Sequence, residues 1–182
     1  MVFLPSRPLT SKPSKNTVNI LPKLVKNNET KQMTSEQKWN RKFLELAKHI
    51  SSWSKDTTKI GAVIAEEGPS HDVVSMGYNG FPRGFQDTGE RFENRVVKYN
   101  YTVHAEVNAI CTAARKGKCL NGTTLYVYGL PVCHECAKTV IQVGIKRVIV
   151  NTMEASPQWM SSTMRAAEFF KEAKVEYRKI NI

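Results

Sequence analysis

The chain has 182 residues, 41% of them hydrophobic and 24% charged, with a formal net charge of +11 from 27 basic and 16 acidic residues. That length holds one well-buried domain and excludes two ordinary ones, and no apolar run approaches the ~20 residues that cross a bilayer as a helix. The basic excess suits an anionic ligand such as a nucleotide phosphate or a nucleic acid, and charge alone does not separate these from a merely basic surface.

Residues 1–32 carry Pro5, Pro8, Pro13 and Pro22 among Ser, Thr, Lys and Asn, with six basic residues facing Glu29 alone. This reads as a disordered basic leader. It is acid-poor like a transit peptide, but Lys-rich rather than Arg-rich and amphipathic. The expectation is therefore an incidental extension before Met33 and a cytoplasmic protein, with organellar targeting not favoured. Residues 33–182 then form the folded domain. Thr34 and Gln37 make a capping-box pattern, and Phe43, Leu44, Leu46, Ala47 and Ile50 recur at helical spacing, which predicts a first helix to about Trp53. Ile60–Ala65 and Val73–Tyr78 read as two strands of an antiparallel hairpin. Asn79–Tyr101 reads as one long functional loop.

A helix is predicted from His104 to about Arg115, a strand over Thr124–Tyr128, a helix from Cys133 to about Val143 and a strand over Ile145–Val150. An amphipathic helix over Pro157–Ala173 and a strand over Val175–Lys179 complete the chain. Strand–helix alternation in the second half implies parallel pairing, so the expected fold is α/β: a mixed five-stranded sheet with helices on both faces. Of the four cysteines, Cys111 is expected as a buried small hydrophobe within its helix, and Cys119 lies in a loop without an evident partner.

The remaining two belong to a split motif. His104-Ala105-Glu106 is followed, 27 residues after Glu106, by Cys133-His134-Glu135-Cys136. An imidazole and two thiolates three residues apart supply three zinc ligands, and three protein ligands leave a fourth tetrahedral position open for water, as catalytic zinc requires. Glu106 sits close to the metal without being needed as a ligand, a placement that suits a proton carrier. A structural zinc would need a fourth ligand, and His134 lies awkwardly inside the Cys pair. The pattern is similar to the His-x-Glu, Pro-Cys-x-x-Cys signature of zinc nucleobase deaminases.

Further segments carry a closer resemblance. Ser54-Lys55-Asp56-Thr57-Thr58-Lys59-Ile60-Gly61-Ala62-Val63-Ile64 resembles the opening strand of deoxycytidylate deaminases. Gly77-Tyr78-Asn79-Gly80-Phe81-Pro82-Arg83-Gly84 is similar to their Gly-Tyr-Asn-Gly-x-Pro-x-Gly loop. Lys98-Tyr99-Asn100-Tyr101 leading into the His104 motif is similar too, as are Cys133–Lys138 and Ile141–Lys146. The likeness runs in collinear order over roughly residues 35 to 180.

The resemblance implies a cytidine-deaminase-like three-layer fold and zinc-dependent hydrolysis of dCMP to dUMP and ammonia. It implies His104, Cys133 and Cys136 as Zn2+ ligands and Glu106 as the catalytic proton shuttle. Asn79 would contact the nucleotide sugar, although Asn-Gly is itself a turn dipeptide. Lys55 is a candidate for the 5′-phosphate and Tyr101 for the base pocket. Family members commonly form homo-oligomers, and some respond to dCTP and dTTP through the Gly-Tyr-Asn-Gly region, which makes these nucleotides candidate effectors. One departure stands out: the family places Pro directly before the first Cys, whereas here Pro131 is followed by Val132, which would alter one wall of the base pocket. A related-base or tRNA deaminase of the same fold is the alternative enzyme. A non-catalytic zinc module binding nucleotide or nucleic acid is the alternative from another class.

Overall fold

The computed structural model describes residues 32–151 and 155–182, so the expected leader lies outside the described residues save for Gln32. Helix α1 (Ser35–Ser51) starts where the capping box predicts: Thr34 accepts the Gln37 N–H while the Gln37 side chain accepts the Thr34 N–H. Strands β1 (Gly61–Ala65) and β2 (Val73–Tyr78) form the antiparallel hairpin. Beyond it come α4 (Ala105–Arg115), β3 (Thr124–Tyr128), α5 (His134–Gln142), β4 (Arg147–Asn151), α6 (Pro157–Glu172) and β5 (Glu176–Ile180).

The segment expected as one long loop, Asn79–Tyr101, departs from that reading. It contains two short helices, α2 (Gly89–Glu93) and α3 (Arg95–Tyr101). The reason is local: Asn94 turns its side-chain oxygen onto the N–H groups of Val96 and Val97 and caps α3, an N-cap device strong enough to start a helix with little apolar periodicity.

The five strands lie in the order β2-β1-β3-β4-β5. β1 pairs antiparallel with β2 and β3, while β3, β4 and β5 run parallel. The parallel pairs are joined through α5 and α6, as parallel pairing requires. Alternate residues of the inner strands point to opposite faces. Val63, Ala65, Tyr126 and Ile149 pack on Phe43, Leu44, Ala47 and Ile50 of α1. Ala62, Ile64, Leu125, Val127, Val148 and Val150 pack on α4, α5 and α6. These are the three layers expected of the fold. Burial on both faces explains why β1, β3 and β4 read as continuous apolar runs.

Two glycines set the spacing of the layers. A Cβ on Gly61 would collide with the backbone of α1 at Ala47, and one on Gly77 would meet Ala109 N at 2.5 Å and Ala105 O at 2.7 Å. Gly77 therefore lets β2 touch the backbone of α4 at the end that carries His104 and Glu106. Cys111 corrects another expectation. It is exposed, because the buried stripe of α4 is Ala105, Glu106, Ala109, Ile110 and Ala113, and residue 111 is a further 100° round the helix.

Candidate active site

His104 is the N-cap of α4 and Cys133 the N-cap of α5, so both helix starts converge on one point. The Cys133 Sγ accepts the N–H of Cys136 at 3.4 Å, which orients the thiolate while leaving it free to face the imidazole. The Nδ1 of His104 lies 3.4 Å from Cys133 Sγ and 3.3 Å from Cys136 Sγ, and the three ligand atoms all fall within 4.8 Å of one another. A tetrahedral zinc with ordinary Zn–N and Zn–S bonds sets its N and S ligands roughly 3.5 Å apart. The donor set and its spacing fit that ion.

The electrostatics agree with a metal site. The Cys133 thiol is held down to about 4, first by its hydrogen bond with Cys136 and then, against the opposing effect of burial, by His104. His104 is pushed up to about 9, chiefly by the hydrogen bond to Cys133. The Cys136 thiol is pushed up, by the Cys133 thiolate first and by burial next. Without a metal, the Cys133 thiolate and the His104 imidazolium neutralise each other and Cys136 keeps its proton; a divalent cation would take the place of those protons. Glu106, in the first turn of α4, is 3% exposed. Burial pushes its carboxyl above the usual range against the opposing pull of His104.

His104, Glu106 and Cys133 form the floor of a cavity of about 550 Å³. Its walls are Asp56, Thr58, Ile60 and Asn79 on one side, Arg95, Lys98, Tyr99 and Thr102 from α3 and its C-cap, Leu130 and Pro131 before α5, and Gln158, Trp159 and Thr163 from α6. The rings of Trp159 and His104 meet edge to face at 6.3 Å, and those of Trp159 and Tyr99 at 6.1 Å. Gln158 accepts from Arg95 at 2.7 Å, tying α6 to α3.

The structure brings His104, Glu106, Cys133 and Asn79 to this cavity, and Cys136 joins them through the ligand cluster with His104 and Cys133. Asn79 is buried, and its side chain is bonded to the chain itself: Oδ1 accepts the Ile60 N–H and Nδ2 donates to Thr58 O, each at 2.8 Å. Lys55 is not among the lining residues; it is exposed and paired with Asp87 at 3.2 Å. Tyr101 is likewise not a lining residue, and it packs edge-on against Phe81 and Phe85. Lys98 and Tyr99 line the cavity. Asp56, Arg95, Lys98, Thr102 and Trp159 escaped the sequence reading, although the Asn94 cap was a usable signal for α3. Val132 is fully buried in the core, while its neighbours Leu130 and Pro131 face the cavity.

The family model described as "Cytidine and deoxycytidylate deaminase zinc-binding region" matches residues 33–152. The chain belongs to this family. An uncharacterized deaminase in the luxG 3′ region of Aliivibrio fischeri is 37% identical over 142 residues, 76% of this chain and 91% of that protein. The deoxycytidylate deaminase of Mus musculus is 36% identical over 147 residues, 78% of this chain and 79% of its own length. Among solved structures, the dCMP deaminase of cyanophage S-TIM5 in complex with dCMP and dUMP is similar, with a TM-score of 0.63 at 23% identity, over 82% of this chain and 100% of that one. At that identity the likeness speaks for the shared deaminase fold.

Proposed function

We propose that this chain is a zinc-dependent hydrolase that converts dCMP to dUMP and ammonia. The observation that carries the reading is the burial of Glu106 on the same cavity floor as His104 and Cys133, two members of the His104, Cys133 and Cys136 cluster. A binding module has no use for a buried carboxyl at that place.

His104 Nδ1 and the two thiolates would hold the zinc, which when bound acts as a Lewis acid and brings the pKa of water towards ~7. Glu106 takes one proton from the attacking water and passes it to the ring nitrogen, then takes the second from the hydroxyl formed at the attacked carbon and delivers it to the departing amine. Burial raises the pKa of Glu106, which makes the carboxylate a better proton acceptor than an exposed one. Tyr99, Trp159, Leu130 and Pro131 give the base an apolar and aromatic enclosure that limits bulk water. Asn79 holds the wall segment at Thr58 and Ile60 against which the nucleotide would lie.

The family likeness also supports a homo-oligomer and makes dCTP and dTTP candidate effectors. No described helix is long and apolar enough to cross a membrane; a cytoplasmic location accords with that. An ammonia-release panel over dCMP, CMP, dCTP, deoxycytidine, guanine and tRNA tests the reading on zinc-loaded protein. The expected result is the highest kcat/KM for dCMP. No turnover of any cytosine nucleotide would refute it.

A further inference from the structure

Helix α3 turns one face to the cavity. Arg95, Lys98, Tyr99 and Thr102 all line it, spaced as residues i, i+3, i+4 and i+7 on one side of a helix. The two cations stand at the N-terminal end of that row, and Thr102 stands at the other end, two residues before His104. The row thus runs from a cationic end to the zinc ligands. A second cavity of about 330 Å³ shares Arg95, Lys98 and Tyr99 with the first.

Neither cation is satisfied by its protein partners. The Lys98 Nζ lies 2.6 Å from Asp56 Oδ1 and 3.4 Å from Thr57 Oγ1, which leaves donor capacity on an ammonium with three N–H groups. Asp56 is 2% exposed, and its Oδ1 also accepts the Thr58 N–H at 2.8 Å. A carboxylate fixed in this way keeps Lys98 folded against the cavity wall instead of extended into solvent. Arg95 gives one nitrogen to Gln158 and rests its guanidinium over the Tyr99 ring, with most of its five donors unengaged. The Thr102 hydroxyl is buried without a hydrogen-bond partner among the described residues. A buried orphan in a cavity wall is the mark of a polar ligand or water that completes it.

We propose that Arg95 and Lys98 bind the 5′-phosphate of the nucleotide and that Asp56 is the positioning residue that holds Lys98 for it. The inference rests on the deaminase reading above, with the base at the zinc end of the cavity. A phosphate monoester near neutral pH carries up to two negative charges, and two cations on one helix face match it, while an uncharged nucleoside leaves them unused.

The test is kcat and KM for dCMP and for deoxycytidine on the full zinc-loaded chain, wild type and variants. Lys98→Gln and Arg95→Gln should each lower kcat/KM for dCMP about ten- to a hundredfold, the scale of one charge-assisted hydrogen bond. The loss should fall on KM, with kcat/KM for deoxycytidine held within about threefold because that ligand makes no such bond. Lys98→Arg should recover part of the loss, and Asp56→Asn should raise KM for dCMP with kcat nearly unchanged. Where deoxycytidine turns over too slowly, calorimetric binding of both ligands to zinc-loaded Glu106→Gln gives the same comparison. An equal loss for both substrates would mean a structural role and overturn the proposal. So would Lys55→Gln removing the preference for dCMP while Lys98→Gln keeps it. A wild-type enzyme inactive on dCMP defeats the deaminase reading itself; an active one with unaffected Lys98 and Arg95 variants defeats only this inference.

Discussion

The side-chain oxygen of Asn79 accepts the backbone N–H of Ile60 at 2.8 Å, so the end of β2 holds the entry to β1 in place. The amide nitrogen of the same residue bonds Thr58 O, and its backbone carbonyl accepts the Ser54 hydroxyl at 2.7 Å. One asparagine thus shapes the wall that carries Asp56 and Thr58. Asn79→Ala leaves a partly buried N–H and C=O without partners, which costs about 1–3 kcal/mol. Urea denaturation should show a lower midpoint at an unchanged m-value.

Cys133 is at once a zinc ligand candidate and the N-cap of α5. Serine is a good N-cap but a poor zinc ligand, so Cys133→Ser separates the two roles. The expected outcome is unchanged helix content by circular dichroism. Zinc measured by atomic absorption should fall from about one per chain towards none, with deamination abolished. Chelation of the wild type should reproduce the lost activity, and added zinc should restore it.

Glu106→Gln keeps the shape of the carboxyl and removes its proton. We expect kcat to drop about 10²–10⁴-fold or more, the usual worth of a general acid–base group. The zinc content should stay at the wild-type level, because Glu106 is not among the three clustered ligand residues. Activity equal to the wild type would refute the proton-shuttle role.

Gly77→Ala places a methyl group against the α4 backbone at Ala105 and Ala109. Neither side can yield without moving the helix start that bears His104 and Glu106. The substitution should cost about 1–3 kcal/mol as an overpacked contact and lower kcat together with Tm. Gly89→Ala, where the added atom meets nothing within 4 Å, should stay within about 0.5 kcal/mol of the wild type.

The fold was readable because its signals are local. The Thr34–Gln37 cap, the doubly buried strands and the strand–helix alternation each declare themselves within a few residues. The cluster of His104, Cys133 and Cys136 was readable for the same reason: Cys133 and Cys136 are one helical turn apart, and an imidazole at His104 narrows the chemistry. The errors also have physical causes. Helix α3 is only seven residues long and is started by a cap instead of an apolar stripe, so its segment read as loop. The phase of that helix decides that Tyr99 faces the cavity and that Tyr101 packs on Phe81 and Phe85. The phase of α4 likewise decides that Cys111 is exposed.

By itself the sequence determined the class of fold and the family, and it singled out His104, Cys133, Cys136 and Glu106, because each rests on residue types at short, regular spacing. Only the tertiary structure decided which cations reach the cavity. Lys55 was the expected cation, yet Lys55 pairs with Asp87 outside the cavity lining and Lys98 is drawn to its wall by Asp56. That choice depends on a pairing between residues 42 positions apart in the chain, formed where α3 meets the segment after α1, and no local pattern encodes it.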